Sequence, residues 1–311
     1  MTPTSTKKTT KLAHLLTVAD RAVADELIEK YGKCSLVRYL KRLILDKRPS
    51  TKRVIKNIEY LISQGADVGI HIIENDSHSS TALDFAVDIG NAEIIKFLIS
   101  KGMDVQIGLW CAIWKKNLEI ARLFLSHGAD VNKVDVHGES PFHEAVGREQ
   151  NIEVVKFLVS HGADINGKTK RGFYCSDIEV DIGDTPLHRA MKCPNADVIE
   201  YLISKGADVS ARNNYGRTPL HEAMWGQCIK VVKLLVSNGA DIKVKDNSGE
   251  TPLHRAVEWR RNENVEVVKY LVSKGADISA EDSKGRTPLD IAKEKHNRAM
   301  VKYFTSIGCQ E

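Results

Sequence analysis

Six cysteines in 311 residues, none of them at Cys-x-x-Cys spacing, exclude a disulfide scaffold and a zinc ribbon. No apolar run approaches the ~18 residues of a membrane span. The opening MTPTSTKKTT has no apolar stretch, so no secretory signal is expected there. Charge of one sign is also missing: 45 basic and 41 acidic residues leave +4, so no global field points to nucleic acid. The chain has no Gly-x-Ser-x-Gly, no phosphate-binding loop and no His-Glu-x-x-His, which removes the familiar local templates for hydrolysis and nucleotide chemistry. With 42% apolar and 28% charged residues, what remains is a folded chain suited to a reducing compartment.

What is present is a repeat. Gly-Ala-Asp-Val/Ile starts at Gly65, Gly128, Gly162, Gly206, Gly239 and Gly275, with Gly-Met-Asp-Val at Gly102 and a fragment at Gly308. The intervals are 37, 26, 34, 44, 33, 36 and 33 residues. A second string keeps phase with it: Thr185, Thr218 and Thr251 open Thr-Pro-Leu-His, Ser140 opens Ser-Pro-Phe-His, Thr287 opens Thr-Pro-Leu-Asp and Thr81 opens Thr-Ala-Leu-Asp. Each unit dictates two helices. Thr218 can cap and Pro219 suits a first helical turn, where its missing N–H costs nothing. Leu220 and Ala223 share one face, and Val231, Val232, Leu234 and Leu235 repeat the helical spacing of a second helix. Gly239 supplies a left-handed stop, and the turn-forming residues from Asp241 to Glu250 lead to the next copy. One unit cannot bury its own apolar stripe, so copies must stack.

The period and the two phased motifs resemble the ankyrin repeat from about Ile55 to Gly308. The resemblance implies an all-α fold with short β-hairpin-like turns: an α-solenoid of about seven repeats plus an N-terminal helical segment. The expected organisation is a disordered tail over 1–10, a basic helical segment with a diverged repeat over 11–64, repeats over 65–308 and a tail over 309–311. Within the basic segment, helices are expected over Leu12–Tyr31, Leu36–Leu45 and Val54–Ile62. The resemblance further implies that His143, His188, His221 and His254 make structural hydrogen bonds, that Asn132 and Asn166 match asparagines hydroxylated in some relatives, and that no cofactor or metal is needed.

Three copies depart from the pattern. Between Gly102 and Gly128 about seven residues are missing from the turn, so that unit lacks its finger, with Ile107 at the threonine position and Trp110 at the histidine position. Between Gly162 and Gly206 the finger is about eleven residues longer and carries Phe173 and Tyr174, either a projecting loop for a partner or an idle insertion. The turn after Gly65 is also longer and holds His71, Glu74, Asp76 and His78, whose spacing matches no zinc pattern.

Function follows from the surface such a stack displays: the resemblance implies that a partner protein docks on the concave, inner face, built from turn tips and first helices. Family register puts Asp88 and Ile89, Trp114 and Lys115, Gly147 and Arg148, Lys192 and Cys193, Trp225 and Gly226, and Glu258 and Trp259 at variable positions on the first helices. Tyr215 falls at a finger tip. Three of the four tryptophans occupy these positions, as partner contacts or as core. The expected site therefore comprises Trp114, Tyr215, Trp225, Glu258, Trp259, Arg148, Lys192, Phe173 and Tyr174, and binds a protein. Charges beside the motif alternate (Glu139, Asp184, Arg217, Glu250, Arg286; then Glu144, Arg189, Glu222, Arg255), which predicts salt bridges between repeats. Ten Lys/Arg against one acid between Lys30 and Lys56 form either a solvated helix face or a contact for an acidic partner. The expected protein is a non-enzymatic, monomeric interaction scaffold without a membrane span. It works in the cytoplasm or nucleus, or in a host cell if it is a microbial or viral effector. Nucleic acid is not the expected partner, and an enzyme built into the repeats is the remaining alternative.

Overall fold

The computed structural model describes residues 18–45, 50–69, 71–74, 78–135, 138–147, 151–170, 173–175, 178–180, 182–226, 228–258 and 265–308. They fall into two compact units, the first ending at Asp130 and the second beginning at Val131.

In the first unit, α1 (Val18–Tyr31) leads through a 3-10 turn (Gly32–Cys34) to α2 (Ser35–Leu45) and α3 (Thr51–Ser63). A hairpin of β1 (His71–Glu74) and β2 (His78–Thr81) precedes the pairs α4 (Ala82–Ile89) with α5 (Ala92–Ser100) and α6 (Val105–Trp114) with α7 (Leu118–Ser126). Helix α2 packs on α4, and α3 packs on α5. Helix α1 lies against α2 and α3. A polar cluster fixes it there. The buried Asp20 carboxylate accepts from Arg53 Nε at 2.6 Å, Asn57 Nδ2 donates to Tyr39 Oη at 2.8 Å, and the Tyr60 hydroxyl donates to Asp25 at 2.7 Å.

The second unit pairs α8 (Pro141–Gly147) with α9 (Ile152–Ser160), α10 (Pro186–Ala190) with α11 (Ala196–Ser204), α12 (Pro219–Gly226) with α13 (Ile229–Ser237), α14 (Pro252–Glu258) with α15 (Val265–Ser273), and α16 (Pro288–Glu294) with α17 (Arg298–Ser306). First helices form one layer and second helices the other. The core lies between the layers, where Leu220, Ala223 and Met224 of α12 meet Val231, Val232 and Leu235 of α13, all buried. The long finger is an antiparallel hairpin of β3 (Phe173–Cys175) and β4 (Ile178–Val180), with Tyr174 opposite Glu179.

Local chemistry accounts for the period. At the end of α13, Gly239 has φ 90° and donates to Val236 O, while Ala240 N–H reaches Leu235 O at 3.0 Å. This paired closure needs a residue at positive φ, which glycine adopts without strain. The finger that follows is pinned by Asp246, whose carboxylate accepts the backbone N–H groups of Ser248 and Glu250. Adjacent fingers then bond to each other, Asn247 N to Tyr215 O and Ser283 N to Ser248 O, both at 2.9 Å.

Each motif histidine joins two repeats. His221 Nδ1 accepts from the Thr218 backbone N–H at 3.1 Å, and its Nε2–H donates to Glu250 O of the next finger at 3.1 Å. His143, His188 and His254 repeat the arrangement with Ser140, Thr185 and Thr251 on one side and Gly167, Arg217 and Arg286 carbonyls on the other. An acceptor Nδ1 and a donor Nε2 together require the neutral ring. Asn132 and Asn166 form a second tie. Asn132 Nδ2 donates to Gly162 O at 2.9 Å and its Oδ1 accepts from Asp164 N at 2.8 Å; Asn166 does the same with Gly206 and Asp208.

Candidate protein-binding surface

The first-helix layer of the second unit is held at its base by a ladder of ion pairs. Arg189 Nη2 lies 2.9 Å from Glu139 of the preceding repeat, with 2% and 4% of the two side chains exposed. Gly147 is buried against this pair: a Cβ there would stand 3.0–3.2 Å from the Arg189 guanidinium. The variable surface position that family register assigns to Gly147 is thus an internal one, vacated to seat an arginine.

Further along, Arg217 reaches Asp246 of the next repeat and Glu222 of its own, Arg255 reaches Glu250, and Arg286 reaches back to Glu250 as well as to Asp282 and Glu294. The salt bridges between repeats expected from the alternating charges are there. The innermost is buried rather than exposed, which moves it from a contribution of ~0–1 kcal/mol to one whose disruption costs about 3–5 kcal/mol. Burial pushes the Glu250 carboxyl up, and neighbouring Glu258 adds to this, against the pull of Arg255.

Two of the expected contact residues are drawn partly into the ladder. Lys192 Nζ points to the buried Asp184 carboxylate at 3.8 Å, and Glu258 pairs with Arg255 at 3.3 Å. The large aromatics stay half-exposed. Trp225, at the end of α12, is 50% exposed, and Tyr215, on the finger before that helix, is 45% exposed with the Arg217 guanidinium 5.3 Å from its ring centre. Both belong to one repeat. Trp114 in the first unit is 53% exposed beside the Lys115–Asp88 ion pair, which joins two repeats there. Arg148 and Trp259 lie outside the described residues, as do the side chains of Phe173 and Tyr174.

The fingerless repeat is built differently. Helix α6 starts straight after the glycine turn, and Asp104 caps it by accepting from Gln106 N at 2.7 Å. Ile107, expected at the capping position, therefore lies inside the helix, and Trp110 is half-buried. Gln106 follows Gly102 by four residues, as Asn132 and Asn166 follow Gly128 and Gly162, and it makes the corresponding tie: its amide donates to Asp130 O at 3.0 Å and accepts from Asp130 N at 2.9 Å. Gly108 lets α6 approach α7, since a Cβ there would come within 2.3 Å of the Phe124 ring.

Titratable groups serve the scaffold. Desolvation lowers His143 and His221 to about 4, against partial compensation by the carbonyls that accept from them, and lowers His254 for the same reason. The Cys111 thiol donates to Asp84 at 2.9 Å, and burial raises it far above the ordinary thiol range, the opposite of a reactive cysteine. Among the described residues no group of three His, Cys, Asp or Glu is placed to hold a metal ion. Asp76 of the long-turn set, and the side chains of His71, Glu74 and His78, lie outside them. Within the basic N-terminal segment, Arg53 is committed to Asp20, while Lys30 and Arg38 both stack on Tyr31. No described helix is long and apolar enough to cross a membrane.

Comparison with known proteins agrees with the geometry. The family model for ankyrin repeats matches three times, over residues 106–169, 172–246 and 230–310, well over half of the chain. Two curated relatives come from Fowlpox virus (strain NVSL). Ankyrin repeat protein FPV244 is 34% identical over 94 residues, 29% of this chain and 14% of the relative. Ankyrin repeat protein FPV115 is 38% identical over 82 residues, 25% of this chain and 14% of the relative. The matched part of the chain thus spans about one-seventh of each relative's length.

Proposed function

The chain belongs to the ankyrin repeat family, whose members generally act as protein–protein interaction modules, and from that premise we propose that it binds a partner protein through its first helices and finger tips. The supporting observation is the pair Trp225 and Tyr215, two half-exposed aromatics on one repeat of a unit that otherwise buries most of its large apolar side chains. A fully buried large apolar side chain gains about 1.5–3 kcal/mol over an exposed one, so leaving two in water favours a surface that is covered in use. Rigid aromatics are also the side chains most often found to carry binding energy. The stack orders them beforehand, so little conformational entropy remains to be lost on binding.

Trp114, Lys192, Glu258, Arg148, Trp259, Phe173 and Tyr174 complete the proposed contact set, with the lysine and the glutamate supplying polar rim contacts. The chain acts without catalysis, as a monomer in the cytoplasm or nucleus. Pairing of Arg189, Arg217, Arg255 and Arg286 with carboxylates neutralises the groups that would hold a phosphate backbone, so nucleic acid does not fit this face. The Fowlpox virus relatives favour a narrower version, in which the partner is a host-cell protein and the chain an effector.

Capture from host-cell extract followed by affinity measurement on the purified partner tests the proposal. Replacing Trp225 and Tyr215 together by alanine should weaken binding at least about a hundredfold, two anchor side chains being lost, with circular dichroism unchanged. Retained affinity in a folded double variant sinks the inner-face reading.

A further inference from the structure

The second-helix layer of the second unit carries its own pattern. The sixth residue of each helix is Phe157 in α9, Tyr201 in α11, Leu234 in α13, Tyr270 in α15 and Tyr303 in α17. The fifth is Lys156, Glu200, Lys233, Lys269 and Lys302 in the same order. Lysine and ring interlock between neighbours: Lys233 Nζ lies 5.7 Å from the Tyr270 ring centre, and Lys269 Nζ lies 5.7 Å from that of Tyr303. Such stacking of a cation on a ring is favourable and orders both side chains.

The ladder covers the last three of these helices; further back, Lys156 pairs with Glu153 of its own helix. Between α11 and α13 the cation is replaced by Glu200 and the ring by Leu234, so nothing stacks. The second position of α13 changes as well. It is Lys230, where α9, α11 and α15 carry Glu153, Asp197 and Glu266. Three departures from the repeat therefore meet at one place, and an open groove of about 320 Å³ lies there. Its lining includes Ala196 and Leu234, the Tyr270 ring, and Lys230, Lys233 and Glu200. That volume is at the small end of ligand pockets and suits one large side chain rather than a cofactor. Lys230 and Glu200 are exposed, and neither is in an ion pair among the described residues.

We propose that this groove is a second docking site, which takes an aromatic side chain of an acidic protein segment. The missing ring leaves an apolar seat on Leu234 and Ala196 beside Tyr270, and the guest ring fills the place where the neighbouring helices carry one of their own. Carboxylates flanking the guest meet Lys230 and Lys233, and a guest tyrosine hydroxyl can donate to Glu200. The charge reversal at Lys230 selects an acidic flank, because the acid at that position in the neighbouring helices would repel one. This layer is distinct from the first-helix face proposed above, so the two readings stand or fall separately.

The test is fluorescence anisotropy with a labelled peptide in which one tyrosine is flanked on both sides by three glutamates. The wild-type chain should bind it saturably and lose affinity with added salt. Replacement of the peptide tyrosine by alanine should weaken binding about tenfold, the effect of one anchor side chain. Leu234→Tyr fills the seat with the ring its neighbours carry, and Lys230→Glu restores their acid. Both follow the repeat and should fold, and each should likewise cost about tenfold or more. Trp225→Ala should bind the peptide as wild type does. No binding by the wild-type chain, or equal binding by Leu234→Tyr, overturns the proposal. So does a concentration-dependent dimer that Leu234→Tyr abolishes, which would make a second copy the occupant.

Discussion

The repeat built on α6 and α7 and the repeat built on α12 and α13 solve one problem in two ways. Each first helix must be tied to the backbone where the next repeat begins. In the complete repeat the tie is His221, which holds its own cap at Nδ1 and the Glu250 carbonyl at Nε2. The fingerless repeat has no such histidine and relies on Gln106, at the repeat position of Asn132 and Asn166, which holds both the N–H and the C=O of Asp130. The difference is chemical. An amide does not titrate near neutrality, whereas the histidine tie works only while the ring is neutral. The fingerless repeat keeps an amide tie and dispenses with the histidine one. The choice decides how the unit responds to acid.

The largest expected effect follows. His143 and His221 hold folded-state values near 4 against an ordinary value of 6.5, so the unfolded chain binds more protons between those limits. Stability is then fully present above about pH 6.5 and is lost as pH falls towards 4, by roughly 3 kcal/mol for each ring. The raised Glu250 carboxyl acts in the opposite sense and offsets part of this. Hydrogen exchange between pH 7 and 4.5 should show protection falling steeply at the second unit's motif helices and much less at α6. His221→Gln, which puts a non-titrating amide at the histidine position, should remove close to one proton from the linkage. An unchanged slope would mean that His221 is not held neutral.

The next effect concerns the buried pair, which has no counterpart among the described residues of the fingerless repeat. Arg189→Met leaves Glu139 buried without its cation and should cost about 3–5 kcal/mol in urea unfolding. Adding Glu139→Gln should recover a large part of that loss, because the stranded charge is then gone. Full additivity of the two substitutions would show that the side chains do not interact.

How much of this was legible in the sequence depends on the scale of the signal. Thr-Pro-Leu-His and Gly-Ala-Asp recur in phase, so the helix pairs, the glycine stops and the role of the histidines could be read directly. The lengthened turn before Thr185 announced a longer finger, and its hairpin is there. Burial could not be read. Gly147 and Arg148 looked like surface neighbours, yet Gly147 is the void that admits Arg189 from the following repeat, a contact some 42 positions away that no local pattern encodes. Gln106 stands four residues after its glycine, as Asn132 and Asn166 do, but glutamine in place of asparagine hid the match. The Glu200–Leu234 break is visible only when second helices are compared with one another, since each alone is an ordinary amphipathic helix. The exposed state of Trp114 and Trp225 lay between two readings, core or surface, that spacing could not separate.

The smallest effect sharpens the comparison on the fingerless side. In the fingerless repeat α6 and α7 approach closely, and Gly108 is the position that permits it. Phe124 is fully buried, so its ring has no empty space to enter when a methyl group is placed 2.3 Å from it. Gly108→Ala must therefore separate the helices or force Phe124 off its preferred rotamer, at about 1–3 kcal/mol, even though alanine is the better helix former by about 1 kcal/mol. Gly226 sits at the end of α12, where an added Cβ meets only the edge of the Pro194 ring at 3.1 Å. Gly226→Ala should accordingly change stability by well under the loss at Gly108. The ratio of the two is the readable quantity in denaturant unfolding: comparable losses would mean that close helix approach is not what distinguishes the fingerless repeat.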